Sequence, residues 1–420
     1  MASALRDAAL DRNAYPGRTA ISGLSGRPLI AAMCVGQVGN LLPHVVVPAI
    51  LSAHLIPLWG LSAAEAGLMA SGYAFGYMFA VPVLTALTDR IDARRILLLG
   101  SLVSALATIA FGFLAQGFWS ATAIWSVAGI GFAGAYMPGL KALTDRLPSE
   151  NASRAITLYT SSFSLGVGLS FLLAQLVADA WGWRAAFLVT GLGPIAMIAA
   201  CLALDEYRPQ LRPGSLLDVR PVLRNRMALG YIFGYGAHCF ELYGIRTWIV
   251  GFWSFVVANH TDQGFLTPVI VSFVFTLLAM PASILGNEAA LRVGRHRAIS
   301  LIMVASACIA LAIGLNAGAR PVSLLPLLLL YALTVPADSG ALTAGMAASA
   351  SPTHRGATMA LHSTVGFGLS AAGAWGIGVA IDAAGGLAST SGWLAGFSVL
   401  AAGIALGPLV LWWSRSSAEG

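Results

Sequence analysis

Long apolar runs recur along the 420-residue chain, parted by short polar breaks. A helix rises 1.5 Å per residue, so about 20 apolar residues cross a ~30 Å hydrocarbon core. Twelve such runs are placed at 29–55, 63–87, 96–115, 121–143, 154–178, 184–204, 227–257, 264–286, 298–316, 322–347, 356–380 and 392–413. Ser62-Ala63-Ala64-Glu65 reads as a capping box that opens the second. The 205–226 segment, with Pro209, Pro213, Pro221 and five arginines, breaks the apolar pattern and reads as a linker between two six-run halves.

The halves echo each other. Leu158 and Asp179 are matched by Leu361 and Asp382 at an offset of 203, and Trp183-Arg184-Ala185-Ala186-Phe187 by Trp393-Leu394-Ala395-Gly396-Phe397. The expected organisation is a tail (1–28), a six-helix bundle (29–204), a linker (205–226), a second bundle (227–413) and a tail (414–420). Composition agrees: 58% of residues are hydrophobic and only 10% charged, against about 25% charge in a soluble domain. Cys34, Cys201, Cys239 and Cys308 all lie in apolar runs and suggest no disulfide framework. No small-residue cleavage site follows the first run, which reads as a retained helix rather than a signal peptide.

Ala86 to Arg95 is a short charged turn between the second and third runs, and it carries Asp89-Arg90 followed by Arg94-Arg95. A weaker copy places Arg292 and Arg297 opposite Arg90 and Arg95, with Leu291 where the Asp would be. The first turn resembles the loop signature of the major facilitator superfamily, Gly-x-x-x-Asp-Arg-x-Gly-x-Arg-Arg. Thr85 and Asp92 stand at its two glycine positions. The resemblance implies an all-α membrane protein of twelve transmembrane helices in two pseudo-symmetric six-helix bundles. It also implies transport by alternating access. In that family the loop Asp steadies the outward-open state at the start of helix 11. Asp89 is then expected near Arg355-Gly356-Ala357-Thr358, with Arg90, Arg94, Arg95 and Arg355 completing the gate. A second Ala-Leu-Thr-Asp-Arg ends the fourth run, and its Asp145 is a candidate partner for Arg94 or Arg95. The alternative is that these charges only fix orientation.

The Arg that often precedes Gly-x-Gly in helix 4 of the family is Trp125 here, and helix 5 lacks the Gly-Pro of many drug exporters. The second and eighth runs lack the internal arginines of nitrate porters.

Net charge is +6, but its placement speaks of topology rather than nucleic acid. Nearly every Lys and Arg lies in the tails, the even-numbered loops or the helix ends facing them. Arg184 and Arg320 fall on the other side and Arg246 lies inside a run. The positive-inside rule then puts both termini in the cytoplasm of an inner (plasma) membrane protein. Lys141, the only lysine, reads as a snorkelling residue at the end of the fourth run.

Charged groups inside a bilayer are costly and mark function. Gln37 and Asn40 on the first run, His238 and Glu241 on the seventh and Asp338 on the tenth fall near one midplane layer. His44 and Arg246 form a second tier nearer the outer face, and His362 and Tyr159 occupy matching positions toward the inner one. Gln37, Asn40 and His44 share a helical face, and His238 and Glu241 are an i,i+3 pair able to touch. Gln37, Asn40, His44, His238, Arg246 and His362 are therefore candidate substrate ligands. Glu241 and Asp338 are candidate proton-coupling groups. A helix–helix hydrogen bond is the structural alternative for the neutral ones.

These features point to a monomeric, proton-coupled secondary transporter of a small organic or inorganic anion. A proton-driven exporter of drugs or metabolites is the second reading, and a non-transporting membrane sensor a third of another class. No nucleotide-binding Gly-x-x-x-x-Gly-Lys-Ser/Thr, nucleophile–base pair or metal constellation occurs. No enzyme, metal or cofactor is expected.

Overall fold

The computed structural model describes residues 24–209, 218–260, 266–351 and 354–415, leaving aside the side chains of 149–154. Every regular element among them is helical. The twelve long elements are α1 (a bent pair, Gly26–Leu41 and Val46–Trp59), α2 (Ala63–Leu87), α3 (Ala93–Leu114), α4 (Phe118–Thr144), α5 (Ser149–Trp181), α6 (Trp183–Leu202), α7 (Arg226–Ala258), α8 (Pro268–Val293), α9 (Arg295–Leu315), α10 (Pro321–Ser349), α11 (Arg355–Ala383) and α12 (Thr390–Arg415). Ten are long and apolar enough to cross a membrane, eleven with the bent pair. The remaining one, α7, has ample length at 33 residues, but His238, Glu241 and Arg246 interrupt its apolar character.

Prolines dictate where helices break. A Pro ring clashes with the carbonyl four residues earlier and donates no hydrogen bond. Pro43 and Pro48 bracket the 46° bend of α1, and His44 sits in it. Ser170 of α5 stitches the bend: its Oγ accepts from the Val45 N–H at 3.3 Å and donates to the Leu42 carbonyl at 2.6 Å. Non-helical backbone at membrane depth survives where a neighbour satisfies it in this way. Pro336 likewise splits α10 into Pro321–Thr334 and Ser339–Ser349, with Asp338 at the start of the second piece. Pro194 interrupts α6.

Leu106 on α3, Leu192 on α6, Leu301 on α9 and Leu409 on α12 all point outward. The two halves meet chiefly along α2 and α11, with further contacts between α5 and α8 and between α1 and α7. For brevity, the end of the bundle carrying the α2–α3 loop and the described chain ends is called the basic face.

The α2–α11 seam is closed from the opposite face to mid-depth. Backbones touch there: a Cβ on Gly67 would lie 2.5 Å from the Ala374 carbonyl, and one on Gly378 2.2 Å from that of Ala63. Ser71 donates to the Ala371 carbonyl at 2.7 Å, and Tyr77 stacks on Phe367 with centroids 3.6 Å apart. On the basic side the halves separate. A crevice of about 850 Å³ opens between α1, α5 and α8, with Arg27, Cys34, Leu147, Ser162 and Met280 on its walls. The chain is therefore open toward its basic face.

Candidate functional site

The bend in α1 and the polar stretch of α7 bring His44 and Arg246 to one small cavity of about 30 Å³. Tyr73, Trp125, Tyr243, Thr247 and Ser370 share its wall. A space of that size holds a water or two. Arg246 is 5% exposed, and no carboxylate among the described residues lies within ion-pair distance. Its guanidinium instead sits over the rings of Tyr243 and Phe163, at 5.5 and 6.0 Å from their centroids. Such contacts are worth roughly 0.5–2 kcal/mol, far less than the hydration they replace. His44 stands among Tyr73, Phe132, Phe163 and Tyr243, all within 6.0 Å centroid to centroid, and both ring nitrogens lack a hydrogen-bond partner.

The rest of the α1 polar face follows. Gln37 accepts from the Tyr159 hydroxyl at 2.8 Å but its amide nitrogen has no partner. Asn40, wholly buried, has none at either amide atom. Tyr159, placed at sequence level as a vestibule counterpart of His362, thus serves Gln37.

The second half is arranged differently. His238 Nδ1 approaches Asp338 Oδ1 at 2.7 Å, an ion-pair distance without good hydrogen-bond alignment. The expected His238–Glu241 contact is replaced. Glu241 turns into its own bundle, where Oε1 accepts from Ser306 of α9 at 2.8 Å and Tyr331 of α10 at 2.9 Å. Its Oε2 has no partner. The two side chains stand about 60° apart around α7, and Glu241 reaches Ser306 of α9 and Tyr331 in the first piece of α10, whereas His238 reaches Asp338 at the break of α10. His362 of α11 stacks on Tyr235 at 3.8 Å, and Tyr235 lies 5.6 Å from His238. His238, Asp338 and His362 therefore form one chain, and Glu241 is set apart from it. Ser306 and Tyr331 went unnoticed in the sequence because a hydroxyl in an apolar run carries no signal of its own.

The gate residues also sort differently from expectation. Asp89 is exposed and makes no ion pair or hydrogen bond from its side chain among the described residues; Arg90 and Arg355 are exposed too. Asp145 pairs neither with Arg94 nor with Arg95. It takes Lys141, one helical turn away, at 3.0 Å, so Lys141 is a salt-bridge partner rather than a free snorkelling group. Burial pushes the Asp145 carboxyl above its ordinary range, and Lys141 draws it back. Arg95 instead meets Glu206 at 3.5 Å on the surface.

The organiser of this corner is Asp92, which stands at a glycine position of the loop signature. Its side chain caps α3 at the Arg94 N–H, accepts the Tyr207 N–H at 2.9 Å and binds Arg146 at 2.8 Å. Arg146 also donates to the Asp205 carbonyl, tying the start of the linker to α3 and α4.

Both broken helices carry a polar side chain at the break, His44 beside Pro43 in α1 and Asp338 after Pro336 in α10. The family model of the Major Facilitator Superfamily matches residues 29–374, and the chain belongs to that superfamily. Over 189 residues it is 30% identical to a gentisate transporter of Corynebacterium glutamicum, a match covering 42% of each protein. Over 251 residues it is 24% identical to human protein spinster homolog 1, covering 56% of this chain and 46% of that one. The chain thus spans about half the length of these curated relatives. Among solved structures, a bacterial homologue of the human lysosomal transporter Spinster, inward-facing and occupied, superposes with a TM-score of 0.69 at 16% identity, covering 92% of this chain and 94% of that one. The POT family transporter PepTSo gives 0.74 at 12% identity, covering 94% and 99%. At such identities the likeness is one of fold. The chain is a multi-pass membrane protein of that superfamily.

Proposed function

We propose that the chain carries a small organic anion across the inner membrane, coupled to protons, with its basic face in the cytoplasm. The observation that carries this reading is Arg246, a buried cation between the halves with no carboxylate against it among the described residues. An unpaired buried charge is strongly unfavourable, so a site that keeps one is suited to an anion that supplies the missing partner. His44, Asn40 and Gln37 offer unused polar atoms on the facing helix, and the rings around His44 suit an apolar body behind a carboxylate. The gentisate transporter among the relatives is named for an aromatic carboxylate of this kind. The cavity is too small for a ring, so in the conformation open to the basic face it would receive the carboxylate alone.

For coupling, the His238–Asp338 pair is favoured over Glu241. It lies on the chain that reaches His362 and the basic side, whereas Glu241 is held inside its bundle. A proton shared by His238 and Asp338 neutralises a buried pair that is otherwise strained by desolvation. Tyr235, Cys239, His362 and the more distant Glu241 are titratable groups around it.

The test is uptake by proteoliposomes offered a panel of aromatic and aliphatic carboxylates beside organic cations, with and without an imposed pH gradient. Accumulation of a carboxylate driven by an inward proton gradient is expected. Accumulation of cations with no carboxylate uptake would overturn the reading in favour of an exporter of cationic compounds.

A further inference from the structure

The sequence repeat singles out Asp179 and Asp382 as equivalents, and transport chemistry uses neither. In the structure they diverge. Asp179 stays within its own half and meets His54 at 3.0 Å. Asp382, at the last turn of α11, crosses to the other half. Its two carboxylate oxygens accept the backbone N–H groups of Ala63 and Ala64 at 2.9 and 2.7 Å.

Those donors are the first two of α2, which no residue of the helix can satisfy. The capping box disposes of the others nearby. Ser62 Oγ takes the Glu65 N–H and the Ser62 carbonyl takes that of Ala66. The N-terminus of α2 is therefore complete only while α11 lies against it. A carboxylate suits the place because its two oxygens match two donors and its charge opposes the positive end of the helix dipole. Below it the glycine contacts at Gly378 and Gly67 and the Ser71 hydrogen bond continue the same closed seam.

We infer that Asp382 is the latch of the face opposite the basic loops, holding the seam shut while the chain is open on its basic side. The same two helices then carry a carboxylate at each end. Asp89, just past the C-terminus of α2, makes no side-chain ion pair or hydrogen bond among the described residues, and Asp382, at the C-terminus of α11, is engaged on the N-terminus of α2. Opening this seam breaks the Asp382 bonds and exposes two backbone donors, so the latch acts in one state of the cycle only.

The test uses the full chain with its four native cysteines replaced and Ala70→Cys as reporter, since Ala70 lines the cavity beneath the seam. A membrane-impermeant maleimide is applied to the face opposite the basic loops. Adding Asp382→Ala should speed labelling about fivefold, the population shift expected when a helix cap exists in one state only. Asp382→Asn, which keeps one acceptor oxygen and is the milder change to the fold, should give a smaller rise. Unchanged or slower labelling in folded, monodisperse Asp382→Asn and Asp382→Ala protein would overturn the proposal, leaving a local cap. Asp89→Asn should move labelling the other way. Its failure to do so bears on the basic-face gate alone and leaves the Asp382 result standing.

Discussion

The polar groups of the two halves are paired to different degrees, although His238 Nδ1, Asp338 Oδ1, Glu241 Oε2 and His362 Nδ1 in the second half also lack a hydrogen bond among the described residues. In the second half they answer one another: His238 meets Asp338, and Glu241 is held by Ser306 and Tyr331. In the first half they are left over. Both nitrogens of His44, both amide atoms of Asn40, the Gln37 amide nitrogen, the Tyr73 hydroxyl and the Trp125 indole nitrogen lack partners. Each buried unsatisfied group costs about 1–3 kcal/mol, so a row of them beside a cavity is unlike a structural network. Arg246 belongs by chain to the second half but by surroundings to the first, facing Phe163 and His44 across the interface. On the proposed function, the second half would handle protons and the first would receive substrate, with Arg246 as the bridge.

The largest effect should come from breaking that bridge. Arg246→Gln is expected to abolish saturable uptake. Arg246→Lys should retain a fraction of it, because the charge stays while the planar two-point donor fork is lost. Loss of a buried charge partner is worth about 2–5 kcal/mol, or a weakening of roughly 30- to 5000-fold. Substrate affinity by isothermal titration in detergent is the measurement. Equal affinity across all three proteins would make Arg246 a packing residue and remove the basis for an anion.

Next in size is the coupling pair. Asp338→Asn should lose accumulation driven by a pH gradient yet keep exchange of substrate at equal concentrations, because the carrier still alternates with nothing to load. Glu241→Gln should keep both to a larger degree, since a glutamine oxygen can still accept from Ser306 and Tyr331. Counterflow measured beside gradient-driven uptake separates the two. The reverse ranking would return the coupling role to Glu241 and leave His238–Asp338 as a structural ion pair.

Much of the architecture was legible in residues. Apolar run length gave the helices, and the Asp89–Arg95 turn gave the family. The charges of α7 and Asp338 on α10 marked a mid-depth layer, because a charge in an apolar run must have a reason. Orientation about the helix axis was not legible in the same way. His238 and Glu241 looked like a touching pair, but which neighbour each faces depends on how α9 and α10 pack against α7, and a sequence period does not fix that. Asp92 was seen only as a departure from a glycine, although it gathers Arg146, Tyr207 and α3 into one network. Its partners lie 54 and 115 positions away, beyond any local pattern. Asp382 was visible as a repeat position, but its crossing to Ala63 spans 319 residues and follows only from the closed seam.

The smallest expected effect concerns Asn40, and it separates reception from packing most cleanly. A lone Asn in a membrane helix ordinarily earns its place by a hydrogen bond to a neighbouring helix, worth on average about 0.6 kcal/mol. Asn40 is wholly buried yet makes no such bond at either amide atom. Asn40→Leu keeps the branched shape of the side chain, with methyl groups larger than the amide atoms they replace, and removes two unsatisfied polar atoms. Thermal stability in detergent should therefore hold steady or rise slightly. If Asn40 is part of the receptive face with Gln37 and His44, the same change should weaken substrate affinity several-fold, the loss of about one hydrogen bond to an anion. The two readouts move apart only under that assignment. A fall in thermal midpoint with unchanged affinity would mean that Asn40 holds helices together, and the contrast between the halves would then rest on His44 and Gln37 alone.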